Sequence, residues 1–493
     1  MFLGACSDNA ASNDDLMGNT QTTNTLTSAA ATTGAGAVNG TANATSAAST
    51  TSGTSTTAGV TSTANSSATT GSGTTGTTGT TNSTTASAVT TGGSTDGAGG
   101  ATTGTSTTGG TPSMEWLPSW ATSIQLTEDR NAPTESLANK TLRQFVYPTY
   151  SGNQIRIQLS NEKGTGPVEI SKVHIAKAQQ LGSGAIDAST DVAFSFSGSA
   201  SVTIPVGETV WSDPLEFDLQ AMQPMAVTML LGATVPGNTG ITGHPGARTN
   251  SYLANNDVVS EASISGSKYE RWYFINAIEV MAPAEAFAIV AFGDSITDGY
   301  GVHDAFQRWP DYLTAAIKQD PDLKDLVSVL DAGNGGNSLL SGDGYIDAGV
   351  DRVPRDILAR PKVKHVVVLF GVNDILYGTF PGGTAQGMAD AIVGGYQDIV
   401  DACHGAGVKV YGSPITPFGA NDSDSNKNSA RTLVNQAVLA GAIFDGVIDF
   451  ATVLVQSGSN PEAIQQSLNN DGLHPNTLGY EAMANAVDLG LFK

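Results

Sequence analysis

Residues 286–299 read AFAIVAFGDSITDG, an apolar run that changes at Gly293 into a short polar segment. A continuous apolar run of this length is typical of a strand that is buried on both faces, as in a parallel sheet. The polar segment contains one serine, Ser295, and two aspartates. Because open α/β sheets bind ligands beyond the carboxyl ends of their strands, we look for chemistry here first.

The chain after this segment alternates between amphipathic helices and apolar strands. Trp309, Leu313 and Ile317 share one face of a predicted helix, with Pro310 in its first turn. Further apolar strands are predicted over residues 327–330, 365–370, 408–411 and 447–450. Such alternation places parallel strands in one sheet with helices on both faces. Residues 284–493, called the α/β region below, are therefore predicted to form a three-layer domain with a five-stranded parallel sheet.

Residues 113–283, called the β region below, have a period of two instead. Segments such as QIRIQL (residues 154–159) and VAFSF (residues 192–196) alternate along the chain, and clusters of Gly, Pro, Asn and Ser separate them. Short strands at regular spacing, with turn signals between them, are typical of a β-sandwich. The sequence therefore predicts an all-β sandwich domain that precedes the α/β region.

Residues 7–112 consist almost wholly of Ser, Thr, Gly, Ala and Asn, with no lysine, arginine or aromatic residue. A segment of this composition cannot bury enough apolar surface to offset the entropy lost on ordering. We expect a disordered stalk whose many hydroxyl groups suit O-glycosylation.

The segment Leu3-Gly4-Ala5-Cys6 stands directly before the stalk. It resembles the lipobox of bacterial lipoproteins, in which the cysteine is acylated and becomes the mature N-terminus. We interpret residues 1–6 as a truncated remnant of such a signal, because the charged and apolar segments of a full signal are missing; the alternative is an accidental match. The expected location is the bacterial cell surface, as an outer-membrane lipoprotein anchored through Cys6, or the secreted fraction.

The charge balance of the whole chain excludes two classes of partner. The 493 residues include 22 Lys+Arg and 45 Asp+Glu, which gives a formal net charge of −23. Nucleic-acid binding needs a basic face, and so does adhesion to anionic lipid by charge alone. With only two cysteines, a disulfide scaffold is excluded as well.

Three of the predicted strands run into short polar segments, and a fourth such segment stands near the C-terminus. The four are GDSITDG (293–299), AGNGGN (332–337), GVND (371–374) and DGLHP (471–475). In this order they resemble the signature blocks of the SGNH, or GDSL, hydrolase superfamily. RWP (308–310), YGSPITP (411–417) and HPN (474–476) also resemble its acetyl-xylan-esterase-like branch, in which a β-rich domain precedes the hydrolase. The resemblance implies a flavodoxin-like hydrolase fold.

A serine hydroxyl becomes a good nucleophile when a base removes its proton. We predict that Ser295 is the nucleophile, that His474 is the base, and that Asp471 orients the imidazole from three residues away. The resemblance further implies that the backbone N–H groups of Ser295 and Gly336 and the side-chain amide of Asn373 form the oxyanion hole.

Other mechanisms find less support in the sequence. Thr297 stands where the G-x-S-x-G segment of α/β-hydrolases needs a glycine. We find no H-E-x-x-H, Walker or C-x-x-C motif, so no metal and no other cofactor is predicted. His303 is expected in a solvated loop, with substrate contact as the alternative. Four tryptophans of the β region are expected in its core, with a sugar platform as the alternative: Trp116, Trp120, Trp211 and Trp272.

The predicted function is that of a serine esterase that cleaves short acyl esters through a covalent acyl-enzyme. The expected substrate is acetyl on a plant polysaccharide such as xylan, or another small ester. One alternative is a broad-specificity lipase, arylesterase or thioesterase of the same superfamily. The other is a carbohydrate-binding surface protein with a vestigial hydrolase, in which the β region does the main work.

Overall fold

The computed structural model describes residues 113–419, 424–459 and 462–493. The predicted stalk over residues 7–112 and the predicted lipid site at Cys6 lie outside this range. None of the helices in the described range is long and apolar enough to cross a bilayer.

The β region is built from antiparallel strands. Its strands are β1 Met114–Ala121, β2 Gln125–Leu126, β3 Lys140–Val146, β4 Gly152–Ser160, β5 Val168–Lys177, β6 Val192–Ala193, β7 Val202–Ile204, β8 Thr209–Trp211, β9 Leu215–Leu219, β10 Met225–Leu231, β11 Thr242–His244, β12 Ser251–Asn255, β13 Ser267–Tyr269, β14 Trp272–Tyr273 and β15 Ile275–Pro283. One sheet has the order β1-β15-β4-β8 with β9 also on β4, and the second has the order β13-β12-β3-β10-β5-β6 with β7 on β5. Strands β14, β11 and β2 form a small third sheet. The predicted all-β fold is confirmed.

The α/β region contains one parallel sheet. Its strands are β16 Phe287–Gly293, β17 Val327–Gly333, β18 Val363–Leu369, β19 Lys409–Gly412 and β20 Gly446–Val447. They lie in the order β17-β16-β18-β19-β20, which is the flavodoxin-like order. The helices are α1 Trp309–Ile317, α2 Gly349–Val353, α3 Val372–Tyr377, α4 Ala385–Gly405, α5 Ser425–Leu439, α6 Phe450–Leu454 and α7 Thr477–Asn485. The predicted five-stranded parallel sheet is confirmed.

One predicted strand is shorter than its apolar run. Residues 447–450 were expected to be extended, but the strand ends at Val447 and helix α6 begins at Phe450. The reason is local: Asp449 caps this helix, and its Oδ1 accepts a hydrogen bond from the Thr452 N–H over 2.9 Å. An N-cap aspartate stabilises a helix start in this way.

Apolar packing is continuous between the β region and the α/β region. One cluster of buried residues contains Leu117 and Ile157 from the first region and Val329 and Trp309 from the second. Polar contacts cross as well: Ser123 Oγ donates to Asp356 Oδ2 over 3.0 Å, and Arg360 Nη2 donates to Asn276 Oδ1 over 2.9 Å. The division near residue 284 stays a prediction from the sequence.

Candidate active site

Ser295 follows β16, which pairs with β17 on one side and with β18 on the other side of the parallel sheet. Strand β16 ends at Gly293, and the chain then closes a tight turn in which the Asp298 N–H donates to the Asp294 carbonyl and the Tyr300 N–H donates to the Ser295 carbonyl, both over 2.9 Å. We call residues 294–301 the serine loop. Gly293 is required at its start, because a side chain there would collide with Thr297 Oγ1 and the Leu369 carbonyl. The serine is therefore held at the carboxyl edge of the sheet, where the sequence predicted it.

His474 and Asp471 come from a turn that precedes helix α7. The Asp471 Oδ1 atom accepts the backbone N–H groups of Leu473 (3.0 Å) and His474 (2.8 Å), and Gly472 has a φ of +93° that favours glycine. Asn476, rather than Asp471, caps α7 by accepting the Gly479 N–H over 3.0 Å. Both carboxylate oxygens of Asp471 are therefore available to the turn and to the imidazole.

The three predicted residues form one chain of hydrogen bonds. Ser295 Oγ lies 2.9 Å from His474 Nε2, and His474 Nδ1 lies 2.8 Å from Asp471 Oδ2. The imidazole is fully buried, and the Ser295 side chain is nearly so. A serine next to one imidazole nitrogen, with a carboxylate on the other, is the arrangement that activates a hydroxyl as a nucleophile.

Asp471 is held in its charged form. Its partial burial opposes the charge, but the hydrogen bond and the attraction from His474, together with the two backbone N–H groups, outweigh this and lower its pKa to about 2. A carboxylate at neutral pH fixes the Nδ1–H tautomer of His474 and stabilises the imidazolium when it forms.

The predicted oxyanion donors come from three separate segments of the chain. Among the hydrogen bonds of the described residues, the N–H groups of Ser295 and Gly336 donate to no protein acceptor. Gly336 is the third residue of a turn in which the Asn337 N–H donates to the Asn334 carbonyl, and its φ of +76° is the one a type II turn needs. Asn373, in the first turn of α3, uses one amide hydrogen on the Asn337 carbonyl over 3.0 Å. An amide nitrogen carries two hydrogens, so the second is left for another acceptor.

Sequence comparison assigns the part of the chain that carries these residues to a protein family. Residues 291–482 match the sequence profile of the GDSL-like Lipase/Acylhydrolase family. This part of the chain belongs to that family. The family predicted from the four polar segments is thereby confirmed, and residues 291–482 are called the GDSL domain below.

Solved structures similar to the chain carry related names. A member of the lipolytic protein G-D-S-L family from Veillonella parvula DSM 2008 is 24% identical (TM-score 0.29, 41% of this chain and 96% of that chain). The acetyl xylan esterase AlAXEase is 21% identical (TM-score 0.31, 41% and 97%). Est24, a carbohydrate acetylesterase from Sinorhizobium meliloti, is 15% identical (TM-score 0.30, 41% and 95%). A search of curated proteins finds no match.

Two loops of the GDSL domain are braced by aspartates. Asp374 accepts the backbone N–H groups of Leu339 (2.8 Å) and Leu340 (2.9 Å), which ties the loop after β17 to the start of α3. Asp294 Oδ1 accepts the Ile296 N–H over 3.0 Å, whereas its buried Oδ2 has no hydrogen-bond partner among the described residues. Burial, with Asp374 and Asp298 nearby, raises the pKa of Asp294 to about 7. Asp294 is thus a candidate for a neutral carboxyl group beside the serine.

The β region supplies side chains to the GDSL domain that the sequence did not mark. His244, the last residue of β11, and Arg248, four residues later, both contact Asp298 of the serine loop: His244 Nε2 lies 2.9 Å from Oδ1, and Arg248 Nη2 lies 2.7 Å from Oδ2. Burial opposes the charge of Asp298, but Arg248 and His244 outweigh it and lower its pKa. Sequence patterns give no signal for such a contact, because it joins loops of different sheets.

Tyr300 is a third residue that the sequence did not mark. Its ring stacks on the imidazole of His474, with centroids 4.1 Å apart and planes at 30°. Its carbonyl accepts the Tyr480 hydroxyl over 2.8 Å, which joins the serine loop to helix α7. The position of His474 therefore depends on an aromatic contact as well as on Asp471.

The histidine and the four tryptophans whose roles the sequence left open make contacts within the fold. His303 is largely exposed and its Nδ1 lies 3.0 Å from Glu270 Oε2, in keeping with a solvated loop. Trp120 and Trp272 are buried and pack edge to face, with centroids 5.0 Å apart. The Arg156 guanidinium lies over the rings of both Trp116 and Trp211, 4.5 and 4.3 Å from their centroids. These two side chains are half-buried and are not core residues as expected. The structure does not bring the four tryptophans together as one platform.

No group of three or more His, Cys, Asp or Glu side chains in the described part of the chain is arranged to hold a metal ion. Cys403 is buried and lies on the packed face of α4.

Proposed function

We propose that the protein is a serine esterase in which Ser295, His474 and Asp471 carry out acyl transfer. The observation that carries the proposal is the unbroken chain of hydrogen bonds from Ser295 Oγ through His474 to Asp471. It lies within a domain whose family consists of lipases and acylhydrolases, so ester hydrolysis is the activity to assign.

The first half-reaction forms an acyl-enzyme. Ser295 Oγ attacks the ester carbonyl carbon, and its proton passes to His474 Nε2. The carbonyl oxygen becomes an oxyanion that accepts hydrogen bonds from the N–H groups of Ser295 and Gly336 and from the Asn373 amide. When the tetrahedral intermediate collapses, the bond to the alcohol oxygen breaks and His474 returns its proton to that oxygen.

The second half-reaction releases the acid. Water takes the place of the alcohol, gives a proton to His474 Nε2 and attacks the acyl carbon. Collapse of the second tetrahedral intermediate breaks the bond to Ser295 Oγ, which recovers its proton from the imidazolium. Asp471 stays ionised throughout and stabilises that imidazolium.

The substrate that we propose is a short acyl ester on a polar alcohol, with acetylated polysaccharide as the leading case. The support is the chemistry of the residues assigned to the site: His474, Asn373 and Gly336 are polar or small and offer hydrogen bonds rather than apolar surface. A long acyl chain needs an apolar channel to replace the water it loses, and these residues do not supply one. Lipidation of Cys6 and a surface location stay predictions.

The serine mechanism is tested without knowledge of the substrate. The full chain is treated with a fluorophosphonate, which phosphonylates activated serines, and the adduct is located by mass spectrometry. We expect one adduct, on Ser295, and none in Ser295→Ala. Ser201→Ala, at an exposed position directly before strand β7, is the matched control and should label like the wild type. Labelling that persists in Ser295→Ala would contradict the assignment.

The substrate is tested with two assays on the full chain. The first measures acetate release from acetylated xylan, with Ser295→Ala as the blank. The second compares nitrophenyl esters from acetate to palmitate. Release of acetate with a preference for the shortest ester supports the proposal. A preference for long esters would favour the lipase alternative, and binding of xylan without turnover of any ester would favour the carbohydrate-binding alternative.

A further inference from the structure

One segment of the β region, residues 244–248, reaches the serine loop of the GDSL domain. Arg248 is at its end and is almost fully buried. Its Nη2 atom lies 2.7 Å from Asp298 Oδ2, and its Nε atom donates to the Asp298 carbonyl over 3.2 Å. One guanidinium thus holds both the side chain and the backbone of the residue that closes the turn around Ser295.

The same guanidinium contacts two other parts of the site. It lies over the ring of Tyr300, 5.4 Å from the centroid, and that ring stacks on His474. Its Nη2 atom is also close to the loop that carries Gly336, since a Cβ placed on Gly335 would be 4.0 Å from it. Arg248 therefore contacts the serine loop and the ring that supports the base, and it lies close to the loop of the oxyanion glycine.

The backbone at Arg248 is in an unfavourable conformation. Its φ is +55°, in the left-handed region that a residue with a side chain adopts only at a cost of about 1 kcal/mol or more. Arg308 of the GDSL domain holds the segment in place, because its Nη2 atom donates to the carbonyls of Gly246 (3.1 Å) and Ala247 (2.9 Å). Gly246 allows the close approach, since a Cβ there would overlap with Asp298 Oδ2. Strain that the surroundings maintain is frequent at functional sites.

We propose that Arg248 is a positioning residue for acyl transfer, which acts through Asp298 on the serine loop and through Tyr300 on His474. The β region is then a part of the catalytic unit. This inference rests on the proposed serine mechanism. A misplacement of about 1 Å at reacting groups can cost on the order of 100-fold in rate, so loss of this contact is expected to act on turnover.

The test compares two substitutions of Arg248 in the full chain with nitrophenyl acetate as substrate. We expect Arg248→Met to lower kcat by about 10- to 100-fold with KM within about twofold of wild type, since the reacting groups move but the substrate surface stays. Arg248→Lys keeps the charge but not the planar fork, so it should recover part of the lost kcat.

The control is another buried arginine between the same two regions. Arg360 bonds to Gln158 and Asn276 of the β region just before strand β18, and none of its hydrogen bonds reaches the serine loop. Arg360→Met should lower the melting temperature and leave kcat of the folded protein unchanged. A double-mutant cycle of Arg248→Met with Asp298→Asn should be non-additive in kcat, because the two side chains form one contact.

The outcomes separate the inference from the proposed function. If Ser295→Ala keeps its turnover, the serine mechanism fails and the role of Arg248 fails with it. If Ser295→Ala is inactive, but Arg248→Met keeps wild-type kcat or loses no more than Arg360→Met, the positioning role alone is overturned. Should Arg248→Met not fold, Arg248→Lys and Asp298→Asn decide by the same criteria: unchanged kcat in both overturns the role.

Discussion

The carboxylate of Asp471 shows how much one residue does in this site. One oxygen fixes the turn through two backbone N–H groups, and the other lies against His474 Nδ1. Replacement by asparagine keeps the shape of the side chain but offers an N–H or a neutral oxygen to the imidazole. We expect Asp471→Asn to lower kcat by about three to four orders of magnitude, with a small change in KM. Steady-state kinetics with nitrophenyl acetate measures both constants.

The matched control is Asp488→Asn, which changes another aspartate whose Oδ1 accepts a nearby backbone N–H, that of Gly490. It should keep wild-type kcat. A loss below about tenfold in Asp471→Asn would show that the carboxylate is not needed to orient the histidine.

Asp294 carries a second prediction at the scale of one residue, and this one concerns stability. Its folded-state pKa is about 7, above the value of about 4 for an unfolded aspartate. The stabilisation from its neutral form is therefore complete below pH 4, declines as the pH rises from 4 to 7, and is absent above 7. Asp294→Asn replaces the neutral acid with a neutral amide. The unfolding free energy of Asp294→Asn minus that of the wild type should therefore rise between pH 4.5 and 8, by up to a few kcal/mol.

Urea denaturation of both proteins at pH 4.5, 6 and 8 measures this difference. The contributions of the titratable groups that both proteins share cancel when the two free energies are subtracted. A difference that stays constant with pH would contradict the raised pKa of Asp294.

The residues that could be predicted from the sequence are those that stand in local motifs. Ser295, His474 and Asp471 each have a recognisable neighbourhood, and the structure brings all three together. Arg248 and Tyr300 have no such neighbourhood. Their importance comes from contacts between loops that are far apart in the chain. No local pattern in a single sequence shows which distant loops will meet.

At the scale of elements, the turn after strand β17 gives a sharp prediction. Gly336 has a φ of +76°, and no atom lies within 4 Å of the place where its Cβ would be. Gly336→Ala thus meets a backbone penalty of about 1 kcal/mol without a clash. Because the strained turn shifts the N–H that is proposed to bind the oxyanion, we expect kcat/KM to fall by about 10- to 100-fold.

Gly207→Ala is the control for this turn. Gly207 has a φ of +82° and equally open surroundings, but it lies between strands β7 and β8 of the β region. Both variants should lose similar stability in urea denaturation, while only Gly336→Ala should lose activity with nitrophenyl acetate. Equal activity of the two would show that the turn at Gly336 does not serve the reaction.

Periodicity located the long elements well and the short ones less well. The helix predicted from Trp309, Leu313 and Ile317 is α1, and all three side chains are buried. The run at residues 447–450 was misread because apolar residues suit a buried strand and a buried helix equally. There the polar cap at Asp449, rather than hydrophobicity, decides where the helix starts.

At the scale of the whole molecule, the sequence indicated two kinds of sheet but not how they pack. The change of period near residue 284 is a local signal, whereas the packing depends on side chains more than a hundred residues apart. Ser328 Oγ of strand β17 donates to the Pro118 carbonyl of β1 over 2.6 Å, and Tyr150 donates its hydroxyl to the Asp325 carbonyl over 2.7 Å. Buried contacts of this kind, added to a continuous core, couple the β region to the GDSL domain.

The last prediction follows from this coupling. Neither region can expose its side of the shared core without a large loss of buried apolar surface, so we expect both to unfold in one cooperative transition. Four of the five tryptophans lie in the β region, and in Trp309→Phe fluorescence reports on that region alone. Ellipticity at 222 nm reports on the α/β region, because helices α1–α7 lie there. In a urea titration of the Trp309→Phe chain the two midpoints should coincide. Fluorescence that stays native after the ellipticity is lost would show that the β region is stable on its own and that the coupling is weak.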